Sequence, residues 1–242
     1  MTPHGPPVHV HRLSARADAM NGLAVRVIAR LDVKPSLGVI KGHGAEGLRR
    51  VGDGVVLARQ YDGADVDEVL VLDTTASLYD RPFALDFHRR IGTMLTTPMT
   101  LGGGIRDAHD FRAALRWCGE KGCLNTAALR EPTLITELAK GWGSQAVVVE
   151  VQIKRLADAW AAMYHAGREF AQRDALAWAV EAVERGAGEL LITSVDRDGT
   201  GRGYDCDFIR ALAPRVAVPI VASGGAGCPA HCVEALQAGA SA

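Results

Sequence analysis

The sequence predicts an α/β protein of the (β/α)8 TIM-barrel class with an internal two-fold repeat, and three observations predict it. Short apolar runs alternate with amphipathic stretches, the pattern of buried parallel strands covered by helices. The pattern occurs twice: Pro98 recurs as Pro219, Gly103 as Gly224 and Glu68 as Glu189, each 121 positions further on. Glycines and polar residues follow the strands in both copies, and a closed barrel builds its site at those strand ends.

Taken in order, apolar runs place strands at residues 25–32, 69–73, 99–102, 122–125, 146–153, 190–194 and 219–223. Their continuous Val, Ile and Leu content suits strands buried on both faces. Amphipathic stretches place helices at 55–61, 83–95, 108–118, 132–141, 175–185, 207–213 and 229–238. Asp107 before Ala108 and Glu131 before Pro132 are sensible helix starts. Leu115, on the approach to the fourth strand, has its repeat partner at Leu236, so the eighth strand is expected just past residue 242. The expectation is therefore a barrel lacking its C-terminal eighth βα unit, in a truncated product with two unpaired edges. Residues 1–19, rich in Pro and His without a sustained period, are expected to be a disordered extension. The barrel domain then spans 20–242, with Met20 as the natural start; His4, His9 and His11 would bind metal only adventitiously.

A 242-residue chain can bury one substantial core. A formal net charge of −1 offers no electrostatic footprint for nucleic acid or a membrane surface. No apolar run approaches the roughly 20 residues of a membrane span. The five cysteines have no zinc spacing, and their odd number favours free thiols in a reducing cytoplasm. No residues are assigned to a metal or a redox cofactor.

Asp32 closes the first strand in Leu31-Asp32-Val33-Lys34, and Lys41 follows a glycine-containing loop. Asp32 is either a strand-end cap or an acid that trades protons with a ligand, and Lys41 could hold negative charge. Gly102-Gly103-Gly104 and Ser223-Gly224-Gly225 each end a strand and precede a helix. Backbone N–H groups without side-chain bulk can approach phosphate oxygens there. Asn125-Thr126 lies beside the first cluster and Asp198-Gly199-Thr200 beside the second, so a ligand with two phosphates would span the mouth; inheritance from one ancestral turn explains the symmetry as well. Arg26, Glu68, Lys121 and Glu189 stand at the opposite strand ends. Composition alone reads these four charges as an ion-pair network of little net stability, and assigns them no gate.

Together these residues resemble the cyclase subunit of imidazole glycerol phosphate synthase, from histidine biosynthesis, over about residues 25–242. The most specific stretches are Leu31-Asp32-Val33-Lys34, Asp73-Thr74-Thr75-Ala76-Ser77, Gly102 to Arg106, Asn125 to Ala128, Thr193 to Thr200 and Ala222 to Gly227. The resemblance implies a barrel paired as a heterodimer with a glutaminase, which delivers ammonia along the barrel axis. The implied reaction joins ammonia to a bis-phosphorylated ribulosyl aminoimidazole nucleotide, a lyase-type step yielding imidazole glycerol phosphate and aminoimidazole carboxamide ribotide. It makes Asp32 the first catalytic aspartate and Lys41 the substrate-loop lysine. Gly104, Asn125 and Thr126 match one phosphate site; Asp198, Gly199 and Gly225 match part of the other. Arg26, Glu68, Lys121 and Glu189 match the charged ring at the ammonia entrance.

Three departures stand out. The family's second catalytic aspartate falls on Gln152, which cannot exchange a proton near neutral pH. Glu150 is not expected to replace it, on the argument that strand neighbours point to opposite faces; an aspartate restored at 152 is expected to raise ammonia-dependent activity. The family's Thr-Gly ahead of helix five is Ala171-Gln172, and the eighth strand would carry a serine of the second phosphate site. Similar proteins of a divergent branch work in surface-polysaccharide pathways, so ammonia-dependent sugar amidation is the enzymatic alternative. An inactive fragment or scaffold that keeps the glutaminase-docking face is the other.

Overall fold

The computed structural model describes residues 25–43, 46–117 and 119–242; the 1–19 extension, Met20 and Cys118 lie outside the described residues. The first strand, β1 (Ile28–Lys34), leads into a hairpin of β2 (Gly38–His43) and β3 (Glu46–Gly52), then α1 (Gly54–Asp62). There follow β4 (Glu68–Asp73), α2 (Leu85–Gly92), β5 (Met99–Gly102), α3 (Ala108–Trp117), β6 (Lys121–Leu124), α4 (Thr126–Arg130) and α5 (Thr133–Trp142). The second half runs β7 (Val147–Leu156), the hairpin β8 (Ala159–Tyr164) and β9 (Glu169–Asp174), α6 (Ala175–Glu184), β10 (Glu189–Ser194), α7 (Cys206–Leu212), β11 (Ile220–Ser223) and α8 (Pro229–Gln237). No helix among the described residues is long and apolar enough to cross a membrane.

The strands β1, β4, β5, β6, β7, β10 and β11 pair in parallel in that spatial order, and they are the seven the apolar runs predict. Side chains alternate between two separate cores, as the period of a strand requires. Val69, Val71, Val149, Val151 and Ile192 face outward with Phe111, Trp178 and Phe208 of the helices. Leu70, Leu72, Cys123, Val148, Leu191 and Val221 face inward and pack on one another. A flat sheet at ~4.8 Å per strand would hold β1 and β11 roughly 29 Å apart. Instead Arg30 of β1 donates to Ser223 Oγ of β11 at 3.0 Å. The sheet is therefore curled on itself, in a barrel-like arrangement. At the seam, Ser241 N donates to Ile220 O at 2.7 Å and Arg26 N reaches Ser241 O at 3.5 Å.

The duplication is visible in the register. Val69 pairs with Met99 and Leu72 with Gly102, while 121 positions on Leu190 pairs with Ile220 and Thr193 with Ser223. Gly103 and Gly104 have φ of +86° and +85°, and Gly224 and Gly225 have +82° and +112°. A Cβ on Gly103 would overlap the Asp73 backbone; one on Gly224 would come within 2.7 Å of Ser194 O. On the first strand of each half the offset is 120. Arg30 pairs with Leu70 as Glu150 pairs with Leu191, and Asp32 with Leu72 as Gln152 with Thr193. Arg30 is thus the repeat partner of Glu150, and Asp32 of Gln152.

Two features correct the sequence reading. The glycine-containing loop after β1 and the unassigned stretch after β7 form antiparallel hairpins, one per half, and Lys41 lies on β2. β9 is mostly solvent-exposed, and β8 is the alanine-rich Ala-Trp-Ala-Ala-Met-Tyr, which carries little strand propensity. In addition, α5 begins at Thr133 rather than at Pro132, after the separate short α4. Gln172 sits in the left-handed region at φ +53°. A side chain costs roughly 1–2 kcal/mol in that conformation. Gln172→Gly is expected to raise stability by about 0.5–1 kcal/mol in urea unfolding, after the entropy glycine adds to the unfolded chain. A lower midpoint would show that the Gln172 side chain makes contacts worth more than its strain.

Candidate functional site

Inward-facing residues near the carboxyl ends of β1, β7, β10 and β11 meet in one buried polar network. Arg30 Nε donates to Asp32 Oδ1 at 2.8 Å, and Lys41 Nζ donates to Asp32 Oδ2 at 2.5 Å. Arg30 Nη1 lies 3.0 Å from Glu150 Oε1, 2.8 Å from Thr193 Oγ1 and 3.0 Å from Ser223 Oγ. Thr193 Oγ1 donates to Glu150 Oε1 at 2.8 Å, and Gln152 Nε2 donates to Glu150 Oε2 at 2.9 Å. Two cations and two carboxylates therefore balance, with both carboxylates buried (Asp32 6% and Glu150 5% exposed) and Lys41 reaching in from a side chain that is 40% exposed.

Burial is the strongest influence on Asp32 and opposes its ionisation. The charges of Arg30 and Lys41, with a hydrogen bond from each, overcome it and hold the carboxyl below its ordinary range. Burial would likewise lower the Arg30 pKa, but Asp32 and Glu150 reverse the sign and raise it. Asp32 is consequently an anion at neutral pH, suited to accept a proton or hydrogen bond and unsuited to donate one.

The structure brings Gly104, Asn125 and Thr126 together on one cavity of about 240 Å³, which Arg81, Arg106 and Arg130 also line. Asn125 Nδ2 donates to the backbone oxygens of Glu150 and Met163, at 3.0 and 3.1 Å, which ties β7 and β8 to this wall. Asp198 joins Arg30, Asp32, Lys41, Gln152 and Thr193 around a smaller adjoining cavity of about 40 Å³. Gly199 and Gly225 line neither cavity; Gly225 O accepts from Gly203 N at 2.7 Å in the turn behind Asp198. At the opposite ends of the strands Arg26 bonds both Glu68 and Glu189, and Lys121 bonds the same two at 2.7 and 3.1 Å. These four predicted charges form a closed ring, with Thr100 Oγ1 donating to Glu68 at 2.5 Å.

Arg30, Glu150, Thr193 and Ser223 stand outside the residues the sequence predicts. The signal for them is spacing: Arg30 precedes Asp32 by two positions and Glu150 precedes Gln152 by two, so each pair shares a strand face. The expectation that Glu150 faces away from Gln152 is therefore wrong, since only the intervening Val151 points outward. The contact also overturns the ground for expecting a gain from an aspartate at 152. A carboxylate there would lose the amide donor and stand beside the Glu150 carboxylate.

Fold and site together define a duplicated α/β protein of the barrel type, with a charge-balanced polar site at the carboxyl-terminal rim of its parallel strands. The chain belongs to the histidine biosynthesis protein family, whose pattern it matches over residues 26–242. It is 45% identical to the imidazole glycerol phosphate synthase subunit HisF of Myxococcus xanthus over 217 residues, which cover 90% of this chain and 85% of that protein. It is 42% identical to the subunits of the same name from Exiguobacterium sibiricum and Pyrobaculum aerophilum, over 220 and 221 residues. Those alignments cover 91% of this chain and 88% and 87% of the relatives.

Asp32→Asn removes one partner of a buried ion pair and leaves Arg30 under-compensated, a loss of about 3 kcal/mol at pH 7. Because the folded-state pKa is depressed, the contribution is complete above the ordinary carboxylate range and disappears only as pH falls through the lowered value. Urea unfolding of both proteins should give a constant difference from pH 8 to 5 that narrows only in stronger acid. Narrowing already between pH 7 and 5 would contradict this ion pairing.

Proposed function

We propose that this chain is the cyclase subunit of an imidazole glycerol phosphate synthase, a lyase acting in the cytoplasm. In this reading it joins ammonia from a glutaminase partner to a bis-phosphorylated ribulosyl aminoimidazole nucleotide. The products are imidazole glycerol phosphate and aminoimidazole carboxamide ribotide. The observation that carries the reading is a buried, ionised Asp32 on the same rim as two symmetry-related left-handed glycine turns. Family membership over nearly the whole described chain supports it.

Each part of the rim then has a task. The turn at Gly103-Gly104 presents backbone N–H groups to one phosphate, with Asn125 and Thr126 on the same cavity wall, and Asp198 stands at the place of the second, backed by the turns of Gly199 and Gly224-Gly225. Asp32 accepts a proton from the reacting nitrogen or hydroxyl. Lys41, on β2, exchanges Asp32 for an anionic group of the substrate. The Arg26, Glu68, Lys121 and Glu189 ring marks the face where the glutaminase docks and ammonia enters. We read the curled sheet as a (β/α)8 plan in which Ser241 and Ala242, hydrogen-bonded to β11, stand in the place of the eighth strand.

The exchange of an acidic partner for Gln152 beside Glu150 and Arg30 favours a second reading, ammonia-dependent amidation of a sugar in polysaccharide assembly. Expression in a histidine auxotroph lacking its own cyclase subunit separates the two. Growth without histidine is the expected result, and Asp32→Asn should lower ammonia-dependent turnover of the nucleotide by about 10²–10⁴-fold. No growth, together with no turnover by the purified chain in excess ammonium, would contradict the cyclase reading and leave sugar amidation or a scaffold.

A further inference from the structure

Gln152 has a specific orientation, and the reason is chemical. Its Nε2 donates to Glu150 Oε2 at 2.9 Å, while Glu150 Oε1 accepts from Arg30 and Thr193. An ionised carboxylate can only accept hydrogen bonds, so the amide cannot turn its oxygen toward Glu150. The carbonyl oxygen, Oε1, must therefore face the other way. It is buried and without a hydrogen-bond partner among the described residues. Gln152 itself is 6% exposed and lines both cavities of the rim, beside Asp32 and Lys41 on one side and Asn125 and Gly104 on the other. A buried acceptor held open against its own desolvation needs a partner that the protein does not supply.

We propose that Gln152 Oε1 is a ligand-binding acceptor that takes an N–H or O–H hydrogen of the reacting molecules, with Glu150 as the positioning residue that fixes it. This deepens the cyclase reading and rests on it. No proton exchange or covalent step is asked of the amide, so replacement of an aspartate removes acid–base chemistry while keeping an acceptor at the site. Two sources carry the donor chemistry. Ammonia can give one N–H to Oε1 and keep its lone pair free, or a hydroxyl or amino group of the phosphorylated nucleotide can fill the same place. Arg30 and Thr193 act one step behind, by holding the Glu150 carboxylate that selects the amide's orientation.

The test uses the full chain with ammonium chloride as the nitrogen source and the bis-phosphorylated ribulosyl aminoimidazole nucleotide as substrate. Gln152→Met keeps the length of the side chain, removes the acceptor and leaves the Arg30–Glu150 pair intact. It is expected to raise one KM about tenfold, the scale of one lost hydrogen bond. A rise in the KM for ammonium alone identifies ammonia as the donor; a rise in the KM for nucleotide identifies the substrate. Glu150→Gln frees the amide at 152 to turn, because a glutamine neighbour both donates and accepts. It should raise the same KM by a smaller factor, about threefold. Calorimetric binding of the nucleotide without ammonium reads the second contact independently of turnover. Unchanged values of both KM and of nucleotide affinity in Gln152→Met, with only kcat or stability lowered, would overturn the proposal. An unmodified chain that neither binds nor converts the nucleotide would instead overturn the cyclase reading, and the proposal with it.

Discussion

One largely buried guanidinium organises the rim of this protein. Arg30 extends from β1 across the interior and meets Glu150 on β7, its own repeat partner, so the two halves touch through an ion pair formed by equivalent positions. The desolvation penalty of such a pair is large, and its attraction offsets that penalty only if the remaining polar atoms are satisfied. Here they are shared out: Asp32 takes Nε, Thr193 and Ser223 take Nη1 with Glu150, and Gln152 caps the far oxygen of Glu150. Position, ionisation of Asp32 and orientation of Gln152 all follow from where that cation sits.

The remainder of the fold makes this arrangement possible. Strands buried on both faces place alternate residues in two separate cores, and the inward core is a thin apolar layer between a charged ring below and the Arg30 network above. Duplication explains why each polar layer contains matching positions. Glu68 and Glu189 answer each other in the ring, and the left-handed glycine pairs answer each other at the rim. The same duplication is broken where chemistry differs: Arg30 faces Glu150, and Asp32 has Gln152 as its counterpart.

Much of this was legible in the sequence, and the part that was not has a physical explanation. Continuous apolar runs at Val69 to Leu72 and Val147 to Val149 mark doubly buried strands without ambiguity, and amphipathic stretches mark the helices between them. The offset of 121 predicts the shared rim for the glycine turns. The hairpin after β7 escapes because β9 is mostly exposed and β8 is rich in alanine, so neither carries the alternation that identifies a strand. Arg30 and Glu150 escape because a charge inside an apolar run gives no hint of a partner 120 positions away. Their spacing of two from Asp32 and Gln152 does give the shared face, and that is the signal from which the network can be read. Gly199 and Gly225 belong to a turn that backs the site, outside the lining of its two cavities, a placement that spacing alone does not reveal.

The most direct test of the central claim is a double-mutant cycle in urea unfolding between Arg30→Met and Glu150→Leu, with the double variant closing the cycle. A buried pair that joins the two halves predicts that each single change costs about 3 kcal/mol while the double change costs far less than their sum, a coupling of about 2 kcal/mol or more. Strictly additive losses would show that Arg30 and Glu150 act independently, and the account of how this rim is organised would be wrong.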